Sequence, residues 1–306
     1  MTFGPSAITR FRNIAAILLI ATLAAATAAS QDQPTEGDER SKGEQCLFAG
    51  HSFFCPVAQS FNRIAEQSDF PDHEMDIVFR GGVAGTAGAL WKSRTARRAI
   101  ESKLETGKVQ LFGLTPGLAD NLETFQRWFD LAIKYNPKTR FFIGIPWAVG
   151  GQKLDNDVFD QRIDRYAEMG GEIAKELRRR YPDNQIDYLA YGKIAPAMKR
   201  RFEAGSLPDI EVMVGKGRNA LFSDNGLGHA GPMLLELCSL TWLKQIYGAQ
   251  LDSLKHRKHQ SDVQEIVEEV MVFNATFKAR DEPAAPTEED EKVEEVEEAE
   301  EAEQKK

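Results

Sequence analysis

Short apolar runs alternate with helical periodicities from about residue 45 to residue 250, and no other property of the chain restricts its fold as much. The run 46–49 ends at Gly50 and leads into a helical pattern over 56–66, with Val57, Phe61, Ile64 and Ala65 on one side. Strand-like runs recur at 75–79, 109–112, 140–145 and 186–191. Helical patterns follow them at 90–105, 122–135, 158–181 and 193–204. Five strand–helix units in succession predict a parallel sheet covered on both faces. Right-handed crossovers put all the strand ends on one edge. The expected class is therefore α/β, a three-layer α/β/α sandwich on a five-stranded, mostly parallel sheet. A short extra strand at 211–214, an apolar helix at 233–247 and an amphipathic helix at 261–278 complete the pattern.

Charge divides the chain. Residues 281–306 carry 13 acidic and three basic side chains, a net of −10 against −9 for all 306 residues, so the remainder is close to neutral. No basic stripe, zinc-finger spacing or RNA-binding aromatic motif is present, and a nucleic-acid partner is not expected. At the N-terminus, Arg10 and Arg12 precede the uncharged apolar stretch 14–26 and the small residues 26–30. That pattern predicts a secretory signal over 1–30, with an uncleaved anchor as the alternative. The organisation is then a signal at 1–30, a polar lead-in at 31–44, the α/β domain at 45–250, a helical extension at 251–280 and a disordered acidic tail at 281–306. A secreted or periplasmic location follows, with no stable membrane insertion once the signal is removed. Disulfides are permitted there. Cys46 and Cys55 could bridge around the turn at Ser52, or all three cysteines, Cys238 included, could be buried thiols.

No cofactor or metal is implied. The five histidines form no ligand spacing. The Gly-rich turn 81–88 fits neither the dinucleotide pattern nor a phosphate loop.

What remains is a set of polar residues that the topology brings to one edge. Ser52 follows the first strand, Gly85 the second, Thr115 the third and Trp147 the fourth. His229 precedes the helix 233–247 and can reach the same edge. A hydroxyl at a strand-to-helix turn, with N–H groups nearby for a developing oxyanion, suits nucleophilic catalysis. Ser52 is the candidate nucleophile, His229 the base and Asp224 the carboxylate that orients it. The N–H groups of Ser52 and Gly85, with the Thr115 hydroxyl, are the candidate oxyanion donors. His51, Phe53 and Trp147 are the residues placed to flank a substrate. Each has a plainer use: Ser52 as a helix cap, His229 bonding backbone at a helix start, Asp224 capping an Asp-Asn-Gly turn, Thr115 fixing its loop, His51 packing.

Gly50-His51-Ser52-Phe53 resembles the first block of the SGNH (GDSL-type) hydrolases, in which Gly-x-Ser carries the nucleophile. Gly82-Val83-Ala84-Gly85-Thr86 resembles the second block, whose later glycine gives an oxyanion N–H. Phe222-x-Asp224 followed by His229-Ala-Gly-Pro resembles the last block, which completes the triad. The resemblance spans 46–247 and implies an esterase on small-molecule or glycan esters, or a non-catalytic member that binds carbohydrate or a protein partner. Two departures stand out. The family's third block has an Asn donor where this chain has Thr115, and its acid lies three residues before the His, where this chain has Gly226.

Overall fold

The computed structural model describes residues 42–279. The expected signal, nearly all of the polar lead-in and the acidic tail lie outside the described residues. Five parallel strands form the main sheet: β1 (Gln45–Gly50), β2 (Glu74–Phe79), β3 (Leu111–Leu114), β4 (Arg140–Gly144) and β5 (Ile186–Leu189). Their spatial order is β2-β1-β3-β4-β5, so β1 is flanked on both sides, with Cys46 opposite Met75 and Leu111. This is the flavodoxin order, in which the chain reverses direction across the sheet at β1 and β3, the switch point where ligands bind.

The pleat sends alternate residues into two cores. Cys46 and Phe48 of β1, Phe142 of β4 and Leu189 of β5 join the core beneath α1 (Cys55–Gln67), α6 (Ile194–Glu203) and α7 (Pro232–Tyr247). Leu47, Ala49, Phe112, Phe141, Ile143 and Tyr188 point the other way. They pack against α2 (Ala87–Lys92), α3 (Arg94–Leu104), α4 (Leu122–Tyr135) and α5 (Asn156–Arg180). These are the three layers. The last helix, α8 (Val263–Ala279), joins the first core through Val263, Ile266, Val267 and Val270, and Asn274 Oδ1 accepts the Ala190 N–H at 2.6 Å. Among the described residues no helix is long and apolar enough to cross a membrane.

Three local features depart from expectation. β3 runs two residues later than the apolar run suggested, because Gly113 lies inside it. A Cβ at Gly113 would come within 2.3 Å of the Phe48 ring, so the missing side chain makes room for an aromatic from β1. The basic helix at 90–105 is two helices, α2 and α3, broken at Ser93, whose hydroxyl caps α3 by accepting from Ala96 N. The segment 220–222 is a strand: β6 (Val212–Val214) and β7 (Ala220–Phe222) pair in parallel as a small separate ribbon. Of the two arrangements expected for the cysteines, the structure has the buried one: Cys46, Cys55 and Cys238 are free thiols.

Candidate active site at the carboxyl edge of the sheet

The turn out of β1 is built by one carbonyl. His51 O accepts from both Phe54 N (3.0 Å) and Cys55 N (2.9 Å), folding the chain from strand into α1 with Ser52 at the apex. Pro56 lies in the first helical turn, where its missing N–H costs nothing. α1 begins at Cys55, so Ser52 stands ahead of the cap position and its side chain is free of that duty. The Ser52 N–H makes no hydrogen bond to another described residue. Tyr191, just beyond β5, holds the turn from behind by donating its hydroxyl to Phe53 O at 2.8 Å. Nothing in the sequence around Tyr191 announces that contact, which joins positions 138 residues apart.

Ser52 Oγ lies 2.9 Å from His229 Nε2, and His229 Nδ1 lies 2.6 Å from Asp224 Oδ2. An ionised carboxylate only accepts, so the partners assign the proton to Nδ1; Nε2 is then the acceptor for the Ser52 hydroxyl. Ser52 and His229 are both partly exposed, so a ligand can reach them.

Asp224 reaches His229 across five positions because its loop winds around its own carboxylate. Oδ1 accepts from the N–H groups of Gly226 (2.8 Å), Leu227 (2.7 Å) and Gly228 (3.3 Å). Oδ2 takes the His229 N–H (3.0 Å) as well as the ring. The turn-capping use and the orienting use are thus one arrangement. Partial desolvation opposes the charge of Asp224, but these backbone donors and the His229 ring outweigh it and hold the carboxyl well below the usual carboxylate range. Gly228 allows the loop its shape: φ is +79°, and a Cβ would strike Gln152 Oε1 at 2.1 Å.

The loop after β4 clamps this one from outside. Trp147 Nε1 donates to Gly228 O at 2.8 Å, and Gly150 N donates to Leu227 O at 2.8 Å. Phe53 stacks on the His229 ring, centroids 5.0 Å apart at 22°, and meets Trp147 edge-on at 5.0 Å. Phe53 and Trp147 were expected to flank a substrate. Both are almost fully enclosed, and they steady the imidazole and its loop instead.

Gly85 approaches the nucleophile turn closely. A Cβ there would lie 2.3 Å from Arg80 O, 2.7 Å from Gly50 O and 2.7 Å from His51 Cβ. Two of these are backbone atoms tied to the sheet, since Arg80 N donates to Gly50 O at 3.0 Å, so they cannot move aside cheaply. Gly85→Ala is therefore expected to cost about 1–3 kcal/mol through overpacking, seen as a Tm lower by roughly 3–10 °C. A Tm equal to that of the natural protein would mean the turn is looser than described.

Thr115 was expected to offer its hydroxyl to an oxyanion, and here the structure corrects the sequence. Thr115 is fully buried and its Oγ1 has no water-accessible surface. The residue is fixed through its carbonyl, which accepts from Ala87 N at 3.0 Å, and Tyr166 caps the adjoining Pro116 O. A ligand beside Ser52 cannot touch a sealed atom, so the Thr115 hydroxyl is not a donor at this edge.

His51 is buried next to the pair, and its Nδ1 accepts the Phe53 N–H at 3.2 Å, which only an unprotonated nitrogen can do. Burial, then the neighbouring His229, lower its pKa to about 4. His73, buried at the opposite end of the sheet, is also lowered to about 4, chiefly by burial. Between pH 6.5 and 4 the unfolded chain binds protons that the folded chain refuses, so stability falls as pH falls through that window. At pH 5 the loss is about 2 kcal/mol per histidine. Urea unfolding at pH 7 and pH 5 should show it, and His51→Gln should lose less than the natural protein over the same interval. Equal losses would place His51 outside the effect.

Topology and the placement of the three sequence blocks make this an SGNH-like fold, with a serine–imidazole–carboxylate chain at the carboxyl edge of the sheet. No family model and no curated protein matches the sequence. Among solved structures, a DUF4886 family protein from Bacteroides uniformis is 10% identical and matches over 76% of this chain and 95% of that one, with a TM-score of 0.46. The periplasmic domain of a lipopolysaccharide acetyltransferase from Salmonella ser. Paratyphi A is 11% identical over 67% and 83% of the two chains, TM-score 0.39. A GDSL-like lipase from Parabacteroides merdae is 12% identical over 67% and 96%, TM-score 0.40. Likenesses this distant carry no function to this chain.

Proposed function

We propose that this chain is an exported serine ester hydrolase. Ser52 Oγ attacks the ester carbonyl carbon while its proton passes to His229 Nε2. The tetrahedral oxyanion rests on the Ser52 and Gly85 N–H groups. The C–O bond to the alcohol breaks, and the alcohol leaves with the proton from His229. Water then attacks the acyl-serine, gives its proton to His229, and releases the acid and Ser52. Asp224 holds the imidazole in the tautomer that can accept from Ser52 and balances its charge once protonated. The single observation that supports this most is the continuous chain Ser52–His229–Asp224 at 2.9 and 2.6 Å. Export rests on the N-terminal signal pattern, and a glycan acetyl ester is one substrate such a protein would meet.

The sealed Thr115 hydroxyl favours a second reading, a non-catalytic SGNH-like binding protein. A side-chain oxyanion donor is worth about 10²–10³ in rate, so a hydrolase without one would be slow. Rapid mixing with 4-nitrophenyl acetate separates the two. A hydrolase gives a burst of about one nitrophenolate per chain, followed by slower turnover. A folded protein with neither burst nor turnover is the binding module.

A further inference from the structure

The two outer strands of the main sheet are treated differently. β5 is closed off: its residues are all buried, Arg178 Nε donates to Ile186 O at 3.0 Å, and Asn274 Oδ1 takes the Ala190 N–H just beyond the strand. β2 is bordered by β1 alone, and its residues are exposed or half-buried from Glu74 to Phe79.

The ladder fixes which backbone groups of β2 face outward. Glu74 N donates to Glu44 O at 3.1 Å and Arg80 N donates to Gly50 O at 3.0 Å, so the even-numbered residues face β1. In a parallel ladder the residues between them face the other way. The N–H and C=O groups of Met75, Ile77 and Phe79 therefore point out of the sheet, and they make no hydrogen bond among the described residues. Such a row, with neither proline nor bulge to blunt it, is a template for another strand.

The strand is its own complement. Turned antiparallel about Ile77, Met75 of one copy faces Phe79 of the other, and Ile77 faces Ile77. All three outward residues are then used, with about two hydrogen bonds at each facing pair. Met75 and Ile77 pack against the core under α1, and the pleat puts Phe79, 50% exposed, on the same face. Phe79 thereby gains the Met75 side chain of the second copy as cover. At each end the exposed Glu74 faces the exposed Arg80, opposite charges across the pair. Sliding the pairing to centre on Asp76 sets that carboxylate against its own copy, which is unfavourable.

We propose that two copies of this chain join by antiparallel pairing of their β2 strands into one continuous sheet. The same patch serves on both sides, so the assembly closes as a dimer. Antiparallel strands carry their carboxyl ends to opposite sides, so the two Ser52 turns open away from each other.

Sedimentation velocity and amide hydrogen exchange test it. The natural protein should be dimeric by about 200 µM. Phe79→Pro removes an outward N–H without touching the ladder to β1, and should weaken the dimer about tenfold or more. Arg80→Glu should do the same through charge, and Glu74→Arg/Arg80→Glu should restore the dimer. Exchange at Met75, Ile77 and Phe79 should be about tenfold or more slower in the dimer than in the folded Arg80→Glu monomer. A natural protein still monomeric at about 200 µM overturns the proposal. So does a dimer indifferent to Phe79→Pro and Arg80→Glu, or a loss that the double exchange does not restore. Equal protection of the three amides in the monomer would put a segment of the same chain on this edge in place of a second copy.

Discussion

Ser52→Ala is expected to lower kcat/KM on 4-nitrophenyl acetate by about 10³-fold or more, with Tm within about 2 °C of the natural protein. The reason is geometric. Ser52 is partly exposed at the apex of a turn whose backbone is fixed by His51 O and Tyr191, and removing its hydroxyl leaves those contacts in place. What disappears is the oxygen 2.9 Å from His229 Nε2. The two N–H groups remain, so a residue of ester cleavage by water is expected to survive. A fall of less than about tenfold would mean that another group attacks the ester.

Asp224→Asn should cost about 10²–10⁴ in kcat with little change in KM. An asparagine oxygen can still accept the loop N–H groups of Gly226 and Leu227, so the loop keeps its course. Its NH₂ would then face His229 Nδ1 and force the ring proton to Nε2, where it blocks acceptance from Ser52. Asp224→Ala removes the acceptor for four backbone N–H groups as well as for the ring, so it should lose loop order and thermal stability on top of activity. The comparison separates the two tasks of one carboxylate. If Asn is as active as Asp, the carboxylate only shapes the loop.

Where residue pattern and turn chemistry agreed, the elements were legible from the chain. α4 spans Leu122–Tyr135 as its pattern predicted, because Asn121 caps its start and Asn136-Pro137 ends it. Trp128 is one of its most buried residues and donates Nε1 to Ala87 O at 2.9 Å, whereas Leu131 and Ile133 are only half-buried. The parallel sheet with both faces covered followed from counting strand–helix units and from the handedness of their connections, whereas the order β2-β1-β3-β4-β5 is set by which strands pair in space. β3 was misplaced because a glycine usually punctuates a strand, and at Gly113 it serves an aromatic from the neighbouring strand.

The site shows the same division. Ser52, Gly85 and His229 could be placed on one edge by topology alone. That Asp224 reaches His229 from five positions away could not be read from spacing, since it depends on a loop closing on its own carboxylate. Thr115 shows the opposite failure: its position after β3 was right, and the direction of its hydroxyl was not. Trp147 and Phe53 were rightly placed near the pair, but packing turned them from walls for a substrate into supports for the imidazole.

The most direct measurement is peptide mapping of the purified full-length protein after reaction with a fluorophosphonate. A phosphonyl adduct on Ser52 in the tryptic peptide 43–63, lost in both Ser52→Ala and His229→Ala, is the expected result. A folded protein that carries no adduct on Ser52, or that labels equally well without His229, would contradict the relay.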